Sequence, residues 1–249
     1  MSDYEKSRIE WINSISGKLI GYDCAECKNR GYMAVPSSDG HTLRECECMK
    51  IRYSLKLIER SGLKPLMERY TFAKYAEIEP WQKTIKAKAD DFLKEQNGKW
   101  FCVLGQTGSG KTHICTAIAS AYLEKGMPVY YMIWNADARS LKASVNDDEK
   151  YDIEISKLQT VDVLYIDDLF KCKFDALPTD ADVRLAYEIL NARYNAKMTT
   201  LISSEFTIDA LSELDAALAG RVKEAGGRYI TNIAIDQKKD MRWKEQRYA

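Results

Sequence analysis

One short segment of the chain combines glycines, a lysine and a threonine at the spacing of a phosphate-binding loop. Residues 105–112 read Gly-Gln-Thr-Gly-Ser-Gly-Lys-Thr and fit the pattern G-x-x-x-x-G-K-[ST] at every fixed position. The glycines allow successive backbone N–H groups to face phosphate oxygens, and a helix that begins near Lys111 adds its positive dipole end. Lys111 would neutralise the β- and γ-phosphates of ATP, and the Thr112 hydroxyl would bind Mg²⁺. The segment therefore predicts a nucleotide site formed by Gly105, Thr107, Gly108, Ser109, Gly110, Lys111 and Thr112.

Two adjacent aspartates, Asp167 and Asp168, follow the apolar run 161–166. In an open α/β sheet, ligands bind beyond the carboxyl ends of the strands, so both carboxylates are expected at the same edge as the glycine-rich loop. We expect Asp167 to hold Mg²⁺, directly or through water, and Asp168 to orient or deprotonate the water that attacks the γ-phosphate. Adjacent aspartates after a strand also occur as helix caps, so this prediction depends on the loop that precedes them.

Four of the seven cysteines crowd into one segment rich in turn-forming residues: Cys24, Cys27, Cys46 and Cys48. Two thiolate pairs from two tight turns can close a tetrahedral site of four sulfur ligands, for which Zn²⁺ is the expected ion in a reducing compartment. The metal would replace the hydrophobic core that such a short segment lacks. A redox-active disulfide pair is the alternative, and His41 is a possible substitute ligand. The remaining cysteines are expected to be structural: Cys102, Cys115 and Cys172.

The periodicity of apolar residues predicts the elements that position these groups. Apolar residues at steps of three and four predict an N-terminal helix over 4–20 that ends near residues 17–21. Beyond Pro65, short apolar strands alternate with amphipathic helices, with strands at 100–104, 129–133, 162–166 and 199–203 and helices at 79–96, 111–125 and 181–197. This alternation predicts an α/β fold with a parallel sheet covered by helices on both faces. A strand before the glycine-rich loop and a helix after it favour a nucleotide site over a chance glycine-rich turn.

Charge and hydropathy restrict the classes of partner. The 37 basic and 37 acidic side chains cancel, which excludes a uniformly basic nucleic-acid-binding protein. A local excess of four, six basic residues minus two acidic ones, lies between Met49 and Arg69, and its basic members are Lys50, Arg52, Lys56, Arg60, Lys64 and Arg69. This segment is either the solvated face of a helix or a contact for nucleic acid or a partner. No run of about 20 apolar residues and no signal-peptide core is present, which predicts a cytoplasmic protein.

The order of these motifs resembles that of a known family. The glycine-rich loop, the segments 166–169 and 199–204, and Ala-Gly-Arg-Val at 219–222 are similar to AAA+ ATPases of the DnaC/DnaI helicase-loader type. The Cys-x-x-Cys and Cys-x-Cys pairs are similar to the zinc module that DnaI-type loaders carry before the ATPase domain. The resemblance implies a P-loop AAA+ domain at 81–249, a linker at 63–80, and a small helical, zinc-binding N-terminal module at 1–62.

The resemblance also implies roles for individual residues. The glycine-rich loop matches the Walker A motif, and Asp167 and Asp168 match Walker B. Arg221 matches the arginine finger, which reaches the nucleotide held by a neighbouring subunit and stabilises charge on the γ-phosphoryl group. Arg242 matches a C-terminal arginine that senses the γ-phosphate within its own subunit. Ser204 takes the place of the polar residue that senses the γ-phosphate from a strand end.

Two positions depart from the family pattern. Glu205 stands where asparagine is frequent, and a carboxylate near phosphate is unfavourable unless it points away or meets a cation. Asp168 stands where fast AAA+ ATPases carry glutamate, and its shorter side chain predicts slow hydrolysis. Residues 70–72 (Tyr-Thr-Phe) lie where related proteins pack an aromatic segment near adenine. The two departures bear on turnover rather than on nucleotide binding.

The resemblance implies an ATP-dependent loader of a hexameric replicative helicase. Its N-terminal module would bind the helicase, and its ATPase domain would self-associate and contact single-stranded DNA during the initiation of replication. ATP, Mg²⁺ and Zn²⁺ are the implied cofactors. Two alternatives share the ATPase motifs: a transposition helper of the IstB type, which carries a different N-terminal extension, and a phage factor that captures the host helicase with little catalysis. A small-molecule kinase would leave Arg221 and the zinc module without a shared purpose.

Overall fold

The computed structural model describes residues 3–38, 40–61, 63–95, 98–172 and 176–242, without the side chains of Leu57, Arg60 and Ser61. The helices within these ranges are α1 (Asp3–Ser14), α2 (Cys48–Ser61), α3 (Lys64–Arg69), α4 (Pro80–Lys94), α5 (Lys111–Glu124), α6 (Trp134–Ala143), α7 (Asp148–Thr160), α8 (Asp180–Asn195), α9 (Ile208–Leu214) and α10 (Ala216–Gly226). The strands are β1 (Tyr32–Ser37), β2 (Gly40–Glu45), β3 (Trp100–Gly105), β4 (Val129–Ile133), β5 (Val163–Leu169), β6 (Thr199–Ser204) and β7 (Ile230–Ile233). Among the described helices, none combines the length and the apolar character needed to cross a membrane.

Five parallel strands form the central sheet, in the order β4-β5-β6-β3-β7. Every residue of β3, which lies between β6 and β7, is buried. Successive side chains of a strand point to opposite faces, so Trp100 and Cys102 pack into one hydrophobic core and Phe101 and Val103 into the other. Helices cover both faces. The predicted α/β fold with a parallel, helix-flanked sheet is therefore confirmed, and β7 adds a fifth strand that the sequence pattern did not reveal.

The first helix is shorter than its apolar pattern predicts. It ends at Ser14, whereas the sequence placed its end near residues 17–21. The Gly17 N–H donates a hydrogen bond to Lys28 O at 2.6 Å, and a Cβ atom at Gly17 would lie only 2.1 Å from Asn29 O. This close approach of two backbone segments pulls the chain out of the helix. The apolar residues beyond Ser14 therefore belong to the loop that leads to the first cysteine pair.

Other predicted boundaries agree more closely. Helix α4 begins at Pro80, where Glu79 and Gln82 form a reciprocal capping box. Its predicted end at Gln96 lies outside the described residues. The boundary expected after residue 62 falls between α2 and α3, although Gly62 itself lies outside the described residues. Two helices between β4 and β5, and two between β6 and β7, were not predicted: α6, α7, α9 and α10.

Helix α2 connects the cysteine segment to the central sheet. Its first residue is Cys48, and farther along it Ile58 packs into the core beneath the sheet. The Val129 N–H at the start of β4 donates to Ser54 Oγ at 3.1 Å. Arg52 is buried and donates to the carbonyl oxygens of Ile20 and Tyr22, both at 2.6 Å. The helix that precedes the predicted boundary at 62 thus packs on the domain that follows it.

Three of the six basic side chains between residues 49 and 69 make contacts within the protein: Lys50, Arg52 and Lys64. Lys50 pairs with Glu47 and Lys64 pairs with Glu59, each at 2.9 Å. Arg52 is used inside the protein, as described above. Exposed Lys56 remains available, and the side chain of Arg60 lies outside the described residues. These contacts favour the interpretation of this segment as a helix with a structural role over that of a nucleic-acid contact.

Candidate functional site

The glycine-rich loop connects β3 to α5 in a conformation that requires glycine. Gly105 has a φ of +98°, and a Cβ atom there would lie 2.2 Å from Ile233 O. Gly110 has a φ of +84° and immediately precedes α5. Left-handed backbone of this kind is accessible to glycine without steric cost. The loop thus reaches the N-terminus of α5 with its backbone free to surround an anion.

The side chain of Lys111 folds back onto this loop. It is buried, and its Nζ donates to the carbonyl oxygens of Gly105 and Gln106, both at 2.8 Å. Burial lowers the pKa of the Lys111 ammonium, while the nearby carboxylates of Glu205 and Asp168 oppose this effect. Phosphate oxygens accept stronger hydrogen bonds from an ammonium than neutral carbonyls do. The loop therefore holds a cation where a bound phosphate could compete for it.

The Asp167 carboxylate is the centre of a hydroxyl cluster. Thr112 Oγ1 donates to Asp167 Oδ1 at 3.1 Å, and the Tyr165 hydroxyl donates to the same atom at 2.8 Å. The Tyr131 hydroxyl donates to Asp167 Oδ2 at 2.9 Å, and Ser203 Oγ donates to Oδ1. Burial, reinforced by the negative charge of Asp167, raises the pKa of both phenols, so they remain protonated donors. The predicted Mg²⁺ ligands Thr112 and Asp167 are thus brought side by side.

Three members of this cluster were not found from the sequence. Tyr165 lies two residues before Asp167 on β5 and therefore faces the same side of the sheet. Tyr131 is paired with Tyr165 in the register of β4 against β5. Ser203 comes from β6 on the other side. The period of two along β5 could have indicated Tyr165, but Tyr131 and Ser203 required the strand order and register.

Asp168 lies at a bulge within β5 and contacts a different set of partners. The pairing of β5 with β6 is irregular between Ile166 and Leu169, and Asp168 has a φ of +57°. Its N–H donates to Ser203 Oγ at 2.9 Å. Lys171 Nζ lies 2.8 Å from Asp168 Oδ2 and 3.2 Å from Glu205 Oε1. The unfavourable glutamate noted in the sequence therefore does meet a cation, Lys171.

A cavity of about 450 Å³ joins these groups to an aromatic region. It is lined by the loop residues 107–112 with Asp168, Lys171 and Glu205, and also by Arg69, Tyr70, Tyr75 and His113. The His113 ring stacks on Tyr70 with 4.8 Å between ring centroids, and its Nε2 is 2.9 Å from Thr71 O. Burial lowers the pKa of His113, which favours the neutral ring. The volume is within the range of about 300–1,000 Å³ typical of small-ligand sites.

The four N-terminal cysteines form a compact sulfur cluster. Their Sγ atoms all lie within 4.8 Å of one another, with 3.8 Å between Cys24 and Cys46 and 3.5 Å between Cys27 and Cys48. A tetrahedral zinc site with Zn–S bonds of about 2.3 Å requires sulfur atoms about 3.8 Å apart. All four thiols are buried and unbridged, and His41 is not part of the cluster. The cluster therefore fits Zn²⁺ and does not have the spacing of a formed disulfide.

The local backbone prepares the first cysteine pair for a metal. Lys28 and Asn29 have positive φ values of 49° and 64°, which turn the chain after Cys27. The Gly31 N–H then donates to Cys27 Sγ at 3.4 Å. Burial raises the pKa of the Cys27 thiol, but this hydrogen bond and those from the neighbouring thiols outweigh it and lower the pKa to about 6. A thiolate, the form that binds zinc, is thus favoured near neutral pH.

Comparison with known proteins identifies the family. The sequence matches the profile described as "IstB-like ATP binding protein" over residues 47–222, which is more than half of the chain. The chain belongs to the IstB-like ATP-binding family. The match begins between Cys46 and Cys48, so it covers strands β3 to β6, the loop and Arg221 but leaves β7 and three of the four cluster cysteines outside.

Individual relatives of this IstB-like protein include phage and replication proteins. The Phage-like element PBSX protein XkdC of Bacillus subtilis (strain 168) is 31% identical over 223 residues, which cover 85% of this chain and 82% of that protein. The Replicative helicase loader DnaC of Escherichia coli (strain K12) is 28% identical over 132 residues, about half of each chain (51%). A crystal structure of the DnaC helicase loader shares the fold, with a TM-score of 0.57 and 21% identity over 68% of this chain and 98% of that one. The resemblance to AAA+ helicase loaders is confirmed at the level of family and fold.

Of the two residues of this IstB-like protein that were expected to sense the γ-phosphate, one lines the cavity and the other does not. Ser204 is fully buried, and its Oγ donates to Leu169 O at 2.7 Å instead of lining the cavity. Neighbouring side chains on a strand point to opposite faces, so it is Ser203 that reaches Asp167. The predicted γ-phosphate contact of Ser204 is therefore not supported by its position. Arg242 does line the cavity, where its Nε is 3.3 Å from Asp240 Oδ1.

Arg221 lies outside the cavity of its own chain. It is half-buried on α10, where its guanidinium donates to Asn191 Oδ1 and to the Tyr187 hydroxyl, both at 2.7 Å. The same guanidinium lies 4.6 Å from the centre of the Tyr187 ring. These contacts fix the side chain at a surface away from the Walker motifs.

Proposed function

We propose that the protein is a slow, Mg²⁺-dependent ATPase that helps to place a hexameric replicative helicase on DNA. The observation that carries the ATPase assignment is the contact between Thr112 and Asp167, which joins the glycine-rich loop to the end of β5 beside the cavity. Family membership supports ATP as the nucleotide. The helicase assignment draws on the relative named as a replicative helicase loader.

The chain's own residues account for the steps of hydrolysis. Lys111 would bind the β- and γ-phosphates, and Thr112 and Asp167 would hold Mg²⁺, which neutralises charge that develops on the phosphates. Asp168 would orient the attacking water and accept its proton. Because Asp168 is short and is paired with Lys171, we expect slow turnover in the isolated protein.

Arg221 would complete the site of a neighbouring subunit. Its distance from its own cavity and its fixed guanidinium are compatible with action in trans, since a planar, permanently charged group stabilises the γ-phosphoryl group in the transition state. Hydrolysis would then depend on self-association. We propose that the assembled ATPase domains also contact single-stranded DNA, and that the protein acts in the cytoplasm.

The N-terminal module is the proposed helicase contact. Helix α1 has no buried residue, and Tyr4 and Trp11 on it are 74% and 66% exposed. Exposed aromatic side chains of this kind are typical anchors of protein interfaces. The zinc cluster would hold the module in one conformation while it is exposed to a partner.

The first experiment tests the ATPase. Phosphate release is measured with Mg²⁺-ATP, with and without single-stranded DNA, for the wild type, for Lys111→Ala and for Lys83→Ala. Lys83 is an exposed lysine of α4 outside the cavity and serves as the matched control. We expect activity in the wild type and in Lys83→Ala and its loss in Lys111→Ala. Equal release by all three proteins would refute the assignment and favour a binding factor without catalysis.

The second experiment tests the partner. The replicative helicase of the native host is mixed with the full-length protein and captured, and Trp11→Ala is compared with Ile153→Ala, an exposed apolar residue of α7. Point substitutions are used because removal of residues 1–60 would also remove α2 from the sheet. We expect Trp11→Ala alone to weaken capture. If the wild type fails to capture the helicase but co-purifies with a transposase, the IstB-type helper is the better assignment.

A further inference from the structure

Lys171 lines the cavity but belongs to neither the Walker A nor the Walker B motif. Its Nζ lies between two carboxylates, 2.8 Å from Asp168 Oδ2 and 3.2 Å from Glu205 Oε1. All three side chains line the cavity, and they are 43%, 30% and 34% exposed respectively. The ion pairs are therefore at the edge of the site, where a ligand could meet them.

The backbone that carries Lys171 is well anchored. The Lys171 N–H donates to Asp168 O at 2.9 Å and closes a tight turn after β5. Between them, Phe170 is fully buried and packs edge-on against Trp134 and Phe206, with ring centroids 5.3 and 6.1 Å apart. This aromatic anchor holds the turn against the core. The backbone of Lys171 is thus held in place beside the cavity by this turn and by the buried Phe170.

The two carboxylates line the cavity together with the glycine-rich loop that would hold the phosphates of a nucleotide. Glu205 forms a hydrogen bond with Thr107 of the glycine-rich loop, and both Glu205 and Asp168 act electrostatically on Lys111. Burial raises the pKa of Glu205, but its contacts with Lys171 and Thr107 outweigh this and lower it, so the group is ionised at neutral pH. Two negative charges would repel a triphosphate at short range, because Coulomb repulsion is strong where water is partly excluded.

We infer that Lys171 is a specificity-determining residue which, by neutralising Asp168 and Glu205, makes the γ-phosphate end of this site acceptable to a nucleoside triphosphate. This inference rests on the proposed function of the same site. A diphosphate ends before this region, so its binding depends less on Lys171. Lys171 acts through the two carboxylates. It offsets their negative charge and takes no part in the reaction at the phosphate.

The test measures the affinity of the full-length protein for Mg²⁺-ATPγS and Mg²⁺-ADP by titration calorimetry. Lys171→Met keeps most of the length of the side chain and removes its charge. We expect an affinity for ATPγS about tenfold lower and a change for ADP of less than about threefold, as for a partly solvent-screened charge near one phosphate. Lys171→Arg should retain the wild-type preference. Lys64→Met, which breaks an ion pair with Glu59 that does not line the cavity, is the matched control.

A second substitution separates charge balance from a structural role. Lys171→Met combined with Glu205→Gln should recover most of the ATPγS affinity, because the uncompensated carboxylate is removed. Glu205→Gln alone should raise ATPγS affinity, and this measurement stands even if Lys171→Met fails to fold. An equal loss for ATPγS and ADP, an absence of rescue, or an unchanged affinity in Lys171→Met would each overturn the inference. A wild-type chain that binds neither nucleotide would overturn the proposed function and the inference with it.

Discussion

The hydroxyl of Tyr131 provides a quantitative test of how the site supports Asp167. Tyr131→Phe removes the donor that contacts Asp167 Oδ2 at 2.9 Å and leaves the ring in place, so no cavity is created. A hydrogen bond to a charged acceptor contributes about 1.5–3 kcal/mol, and a buried carboxylate that loses one is destabilised by a similar amount. In a chain of this length, each kcal/mol lowers the melting temperature by about 2–4 °C, so we expect a fall of about 3–12 °C.

Bound magnesium should reduce the destabilisation caused by Tyr131→Phe. A bound cation would supply positive charge to the same carboxylate, so Tyr131→Phe destabilises the metal-bound protein less than the free protein. By linkage, Mg²⁺-ADP should then bind the variant more tightly than it binds the wild type. A substitution that merely disrupts the site would weaken binding instead.

Urea unfolding followed by circular dichroism measures the free energy of unfolding of each variant. Repeating the measurement with Mg²⁺-ADP gives the change in nucleotide affinity by linkage. Tyr130→Phe is the control, because the neighbouring tyrosine packs on the opposite face of β4 and has no contact with Asp167. A free energy of unfolding of Tyr131→Phe within about 0.5 kcal/mol of the wild type would refute the reasoning, since that is the usual range for a surface substitution. An equal loss in Tyr130→Phe would refute it as well.

Three further predictions follow from the geometry. Gly105→Ala should prevent stable folding, because the new Cβ would lie 2.2 Å from Ile233 O at a φ of +98°, as checked by soluble yield and circular dichroism. Arg221→Ala should retain ATP affinity but reduce phosphate release by about 10³-fold or more in the assembled protein, as measured by titration and by turnover; a parallel loss of affinity would place Arg221 in its own site. The purified protein should contain one zinc ion per chain by elemental analysis, and a strong chelator should lower its melting temperature. An unchanged melting temperature would show that the cysteine cluster does not need metal.

The sequence was sufficient for features that depend on residues close together in the chain. The loop 105–112 and the pair Asp167 and Asp168 are read from continuous strings because backbone conformation and strand ends are local properties. The cysteine quartet is also a matter of spacing. The apolar pattern of each predicted strand was strong because β3 to β6 are buried on both faces.

The contacts that could not be predicted depend on which strands and helices become neighbours in the fold. Tyr131 and Ser203 reach Asp167 only because β4 and β6 flank β5, and no local pattern states that order. Lys171 meets Glu205 for the same reason. The apolar face of α2 was visible from Ile51, Leu55 and Ile58, but its packing surface was not. Ser204 was assigned by family position, and the alternation of the strand directed it away from the cavity.

Helix α2 also has a consequence for the solubility of any shortened protein. Strand β4 is one of the two outer strands of the sheet, and its first N–H group donates a hydrogen bond to Ser54 Oγ of α2 instead of being left open. An uncovered outer strand offers unpaired backbone groups to other chains and promotes aggregation. Helix α2, which begins at Cys48, therefore also covers part of this edge of the sheet against pairing with other chains. Damage to the N-terminal module by oxidation or proteolysis should first be seen as precipitation of the domain that contains the sheet.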